Sequence, residues 1–100
     1  MERRGFKRVH FNAQVFIQDG EDIIKGNAVN LGLGGLYLET DKKISENKII
    51  DTIIIITSGG SHLSLKVKAR VVWKDERGMA LEFKDMDVDT LAHLSRYIYS

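Results

Sequence analysis

Cysteine is absent from all 100 residues. That excludes disulfides, thiolate metal sites and thiol nucleophiles together, and a small domain built without such staples suits a reducing compartment, so the expected location is cytoplasmic. Long apolar runs are missing as well. Nothing approaches the roughly 18 uninterrupted apolar residues of a membrane span. The opening Met1-Glu2-Arg3-Arg4 meets no apolar signal core, so an unexported protein without a membrane span is expected. Charge of one sign is barely in excess, at a formal net of +1, and aromatics make up only 8%. Both features argue against a domain that condenses on nucleic acid as a whole.

What is present describes one small globular domain. The 43% hydrophobic and 29% charged content is that of a folded chain. At this size one modest core must supply most of the stability, because only about two thirds of the unfolded chain's surface becomes buried. Residues 1–8 form an expected flexible basic arm: Arg3, Arg4, Lys7 and Arg8 against the single acid Glu2 leave a side-chain charge of +3. Residues 9–84 read as strands and 87–99 as a helix.

Alternation sets the strands. Over residues 9–17, Val9, Phe11, Ala13, Val15 and Ile17 share one face, and Phe16 alone interrupts the polar one. After Asp19-Gly20-Glu21-Asp22, a less regular strand over 23–31 pairs back on the first. A third strand, 36–40, turns Leu36 and Leu38 inward and Tyr37 and Glu39 outward. The fourth, 49–57, carries Ile53-Ile54-Ile55-Ile56, a β-branched run that favours a strand with apolar cover on both faces. In the fifth, Leu63, Leu65, Val67, Ala69, Val71 and Trp73 share one face, and its length lets it bend around a barrel. The sixth follows the turn Asp75-Glu76-Arg77-Gly78, with Met79, Leu81 and Phe83 inward. Short connections imply antiparallel neighbours. Asp87 is a candidate N-cap for a helix whose apolar series is Val88, Leu91, Leu94 and Ile98. The expected fold is mainly all-β, a six-stranded antiparallel barrel with a C-terminal α-helix packed on it, since closure hides sheet edges most completely. An open sandwich is the alternative.

No catalytic chemistry is legible, and the chain is read as no enzyme. His10, His62 and His93 lack short ligand spacing, so no metal site is assigned. Gly32-Leu33-Gly34-Gly35 lacks the Lys-Ser or Lys-Thr pair of a phosphate loop and leads into a strand. None of the serines sits in a nucleophile-elbow sequence, and no cofactor is implied.

Two elements remain. In Arg4-Gly5-Phe6-Lys7-Arg8, two arginines stand four apart beside Arg3. Arginine can grip a phosphate with two hydrogen bonds, pair with a guanine edge or stack on a purine. The plain alternative is a solvated basic tail. In Asn30-Leu31-Gly32-Leu33-Gly34-Gly35, three glycines in four residues permit positive φ and close backbone approach, while Asn30 offers an amide donor and a carbonyl acceptor. Here the plain alternative is a hairpin turn without a ligand.

Taken together, the two elements resemble the PilZ domain family, whose pattern is an Arg-x-x-x-Arg arm followed by Asp/Asn-x-Ser-x-x-Gly. Arg4, Arg8, Asn30 and Gly35 occupy four of its five positions, and Gly32 stands where the family has serine. Ala69-Arg70-Val71-Val72-Trp73 and Gly78-Met79-Ala80-Leu81-Glu82-Phe83 look like the family's late strand pair. The resemblance covers nearly the whole chain and implies the same barrel with its helix. It also implies binding of cyclic di-GMP, with Arg4 and Arg8 as the clamp, Asn30 at a guanine edge, Gly35 keeping the turn open, and Arg3 and Lys7 as supplementary charges. At Gly32 one neutral hydrogen bond is lost, worth about 0.5–1.5 kcal/mol or roughly two- to tenfold in affinity, which implies weakened binding.

Three functions follow. The first is a cyclic di-GMP receptor acting on a separate effector protein in motility, adhesion or exopolysaccharide control. The second is a PilZ-like interaction module without nucleotide, contacting a partner through outward apolar residues such as Phe16 and Val72. The third is a small barrel binding single-stranded nucleic acid through the arm and exposed aromatics such as Tyr37, which the low net charge disfavours.

Overall fold

A computed structural model of the chain describes residues 8–9, 13–42, 44–58 and 60–99. Its strands are β1 (Arg8–Val9), β2 (Ala13–Asp19), β3 (Asp22–Gly32), β4 (Gly35–Glu39), β5 (Ile49–Ser58), β6 (Ser61–Lys74) and β7 (Gly78–Phe83), followed by helix α1 (Val88–Tyr99). All pairings are antiparallel. β2-β3-β4 and β5-β6-β7 form two meanders, and the pairs β2–β5 and β4–β7 join them into a closed six-stranded barrel. The two-residue β1 adds to the edge of β3, with Arg8 opposite Gly32 and Val9 opposite Leu31. The barrel is therefore the expected one, and the open sandwich is not formed.

Closure depends on strands long enough to serve different neighbours along their length. β6 pairs with β5 through residues 61–70 and with β7 through 69–74. β3 divides itself similarly between β2 and β4. The alternating residues converge inside: Val15, Ile17, Ala28, Leu36, Leu38, Ile54, Ile56, Val67, Val71, Met79 and Leu81 are all buried. Of the isoleucine run, Ile54 and Ile56 point into the core while Ile53 and Ile55 are half-covered on the outside. Ile44, in the connection between β4 and β5, is also buried, and its N–H lies 3.2 Å from Met79 Sδ.

Asp87 does cap the helix, its Oδ1 accepting the Thr90 N–H at 2.7 Å. That bond holds the Asp87 carboxyl below its usual range. The apolar series of the helix is corrected in part. Leu94 and Ile98 are buried, but Val88 is 79% and Leu91 42% exposed, because only the later turns lie against the barrel.

Thr52 is the polar exception in the core, fully buried in the row Ile17–Thr52–Val67, with no hydrogen-bond partner for Oγ1 among the described residues. Its hydroxyl is a cost without a return. Thr52→Val is expected to raise stability by up to about 1 kcal/mol, read as a higher urea midpoint at unchanged slope. A lower midpoint would show that the hydroxyl is paired in solution.

Candidate functional site

The Asn30-to-Gly35 segment is less a loop than a tight hairpin. Asn30 lies within β3, β3 ends at Gly32, and β4 begins at Gly35. None of its three glycines takes positive φ; left-handed backbone among the described residues falls at Gly20, Asn47 and Gly60. The conformational reason offered for these glycines is thus corrected. At Gly35 the reason is proximity: a Cβ there would sit 2.1 Å from the carbonyl oxygen of Leu81 on β7. Gly78 faces the same constraint from the other strand, 1.8 Å from the carbonyl oxygen of Leu38.

Two β-bulges shape the wall beside this hairpin. In β3 the register slips between Ala28 and Asn30, leaving Val29 as the extra residue. In β6 it slips between Val71 and Trp73, leaving Val72 extra. Each bulge reverses the side to which the next residue points. Simple alternation would send Asn30 inward after Ile24 and Ala28, and Trp73 inward after Ala69 and Val71. Asn30 instead pairs with the outward Tyr37, Tyr37 with Ala80, and Ala80 with Trp73. One row of outward side chains, Asn30–Tyr37–Ala80–Trp73, thereby crosses four strands. The inward reading of Trp73 is corrected: it is 49% exposed.

The row floors a cleft of about 410 Å3, bordered also by Gly34, Gly35, Val72 and Glu82. Its aromatic pair has ring centroids 5.7 Å apart, tilted by 37°. Tyr37 is anchored. Its hydroxyl donates to Asp75 Oδ1 at 2.5 Å, and the same oxygen accepts the N–H groups of Arg77 and Gly78 at 3.0 Å each. The bond to Asp75 raises the Tyr37 pKa to about 12, and the same bond first, then the two backbone donors, lowers that of Asp75. Among the described residues lining the cleft, Glu82 is the one carboxylate, and Arg70 Nη2 meets it at 2.9 Å, offsetting its charge. Asn30 Oδ1 is buried at the cleft without a hydrogen-bond partner among the described residues, an acceptor awaiting a donor.

Of the expected site residues, Arg8, Asn30, Gly32 and Gly35 are brought together by backbone register: Arg8 pairs with Gly32, two residues beyond Asn30. Arg3, Arg4 and Lys7 lie outside the described residues. The aromatic pair was missed as a unit, because Val71-Val72-Trp73 carries no glycine or other mark of a bulge. The polar Asn30 within an apolar strand was the one local sign of the other.

A family model described as PilZ domain matches residues 2–100. The chain belongs to the PilZ domain family. The structure of the Bacillus subtilis inhibitor of motility (MotI/DgrA) resembles it with a TM-score of 0.82 and 22% identity, covering 98% of this chain and 50% of that one. This PilZ domain thus spans half the length of that relative. A crystal structure of the PilZ domain of CeSA from a cellulose synthesizing bacterium matches with a TM-score of 0.67 and 16% identity, covering 92% of this chain and 94% of the other. At these identities the likeness is one of fold. No match is found among curated proteins. Among the described residues, no helix is long and apolar enough to cross a membrane.

Two outcomes follow for this wall of the PilZ barrel. Gly35→Ala should destabilise the ligand-free protein by about 1–3 kcal/mol, whereas Gly34→Ala, whose Cβ would meet nothing within 4 Å, should leave the melting temperature nearly unchanged. Because the folded pKa of Tyr37 is raised above 10.0, its bond to Asp75 contributes fully below pH 10 and is lost as pH climbs towards about 12. Chemical denaturation across that window should show a stability loss that is smaller in Tyr37→Phe.

Proposed function

We propose that this PilZ domain is a cyclic di-GMP receptor that passes occupancy to a separate partner protein. The observation that carries the reading is the meeting of arm and cleft: Arg8 enters the sheet opposite Gly32, and Asn30, two residues away, has a buried, unpartnered Oδ1. Arg4 and Arg8 supply the cationic clamp for phosphates and guanine edges, with Arg3 and Lys7 adding charge. Asn30 meets a guanine edge, and the Gly32–Gly35 hairpin lets the ligand lie close to the backbone. Gly32 in place of the family serine sets affinity more than ligand identity. The domain is not catalytic, needs no cofactor and works in the cytoplasm. Its readout is motility, adhesion or exopolysaccharide control, in keeping with relatives named as a motility inhibitor and as a part of CeSA from a cellulose synthesizing bacterium.

The interaction-module reading draws support from another stretch of the wall. Phe16, Ile23 and Ile53 line a mostly apolar groove of about 430 Å3 that also takes in Lys66, Lys68, Asp51 and Asp85, and Ile23 is among the exposed hydrophobics. Val72, the other outward residue, lines the cleft instead. A partner on the Phe16 groove would leave the cleft free, so protein contact there is compatible with the receptor reading, and nucleotide titration separates that reading from a module without nucleotide.

Calorimetric titration with cyclic di-GMP, GTP and a short single-stranded oligonucleotide separates the possibilities. Saturable heat with cyclic di-GMP alone is expected; silence up to high micromolar concentration would sink the receptor reading. Arg8→Ala should remove most of the binding, and Gly32→Ser should tighten it roughly two- to tenfold. Unchanged affinity in Arg8→Ala would show that the arm is not the clamp.

A further inference from the structure

Helix α1 is buried through Leu94 and Ile98, and beside them runs a second apolar line that the barrel does not cover. Val88, Leu91 and Tyr99 are three of the six large hydrophobics exposed among the described residues, on a helix of only 12 residues. Val88, Ala92, Ser95 and Tyr99 recur at steps of four, three and four, which sets them in one line along the helix, and Leu91 stands between that line and the buried face. A lone exposed apolar residue would need no explanation, but a line of them over the length of a helix marks a contact surface. The charges beside the line say what fits it. Asp89 and Arg96 each follow a residue of the line by one, so they share a flank, seven residues and roughly 10.5 Å apart. Neither has an ion-pair partner among the described residues.

We propose that this face of α1 pairs with the same face of a second copy of the chain, the two helices antiparallel and flanked by two Asp89–Arg96 ion pairs. A twofold axis near Ala92 and His93 sets Asp89 of each copy level with Arg96 of the other, and in an antiparallel pair matching flanks meet. Ala92 lies at the crossing, where its small side chain lets the helices approach, and Val88 falls between Ser95 and Tyr99 of the second copy. A patch that complements itself under a twofold is what an isologous dimer requires. A lipid surface fits less well, because the helix offers one arginine and no lysine beside Asp89. A helix about 18 Å long presents less area than a permanent dimer buries, so exchange between monomer and dimer in the micromolar range or weaker is expected. No residue of the line borders the cleft or the Phe16 groove, so the inference stands apart from the cyclic di-GMP reading.

Sedimentation equilibrium of the full chain without nucleotide, from roughly 10 μM to 1 mM, tests the pairing. The mass should rise from the 11.3 kDa of the monomer towards twice that value, and less so at high salt. Asp89→Arg and Arg96→Asp should each weaken association by roughly tenfold, since each replaces two attractions with two repulsions. An equimolar mixture of these two variants should recover it, because every contact between unlike copies is again Arg against Asp. Val88→Asp should abolish association while keeping the far-ultraviolet dichroism of the parent, its side chain being largely in solvent. A mass of 11.3 kDa at every concentration would overturn the proposal, and binding of that monomer to vesicles of phosphatidylcholine and phosphatidylglycerol would give the line to a lipid surface instead. A dimer indifferent to Val88→Asp and to both charge reversals would place the contact elsewhere on the chain and overturn it equally.

Discussion

The seam between β4 and β7 is the constraint on which the rest of the molecule depends. Each meander can form from local hairpins, but only this seam and the β2–β5 pairing turn two sheets into a barrel. At the β4–β7 seam the strands run so close that neither end tolerates a side chain: Gly35 abuts the Leu81 carbonyl, and Gly78 abuts that of Leu38. The outward row from Asn30 to Trp73 crosses the same seam, so the cleft exists only once the barrel has closed. Glycine at position 35 therefore has a structural reason independent of any ligand, and its place in a binding pattern coincides with its place in the architecture.

Most of this architecture was legible from period-two alternation. The strands, the long β6 shared between β5 and β7, and the Asp87 cap follow from local residue chemistry. Where the reading failed, the cause was non-local. Trp73 was assigned to the core because five inward residues precede it at perfect spacing, and nothing in Val71-Val72-Trp73 announces an extra residue. Val88 and Leu91 repeat at helical intervals, yet the sequence carries no record of how far the helix axis stands from the barrel. The glycine hairpin was identified by position, but the reason for its composition lies across the seam on β7, beyond the reach of local sequence.

The two bulges give the wall its chemistry. A regular barrel of this sequence would bury Asn30 and Trp73, setting an amide and an indole among aliphatic side chains at considerable cost. Slipping the register once in β3 and once in β6 avoids that cost and assembles polar and aromatic groups on one outer surface. The Tyr37 hydroxyl then links this surface to the β6–β7 turn, where Asp75 accepts three hydrogen bonds. The aromatic surface and the β6–β7 turn share one oxygen atom, Asp75 Oδ1.

The division into two meanders also bears on how the chain reaches its native state. Before they join, each half shows two unpaired strand edges, and one of them, β5, carries four consecutive isoleucines. Such edges are templates for pairing with other chains. Once both seams are made, β5 is held on both sides, by β2 and by β6. The hazard for this protein is concentrated in the interval of assembly, when concentration and temperature decide whether β5 finds β2 of its own chain or a strand from a neighbour.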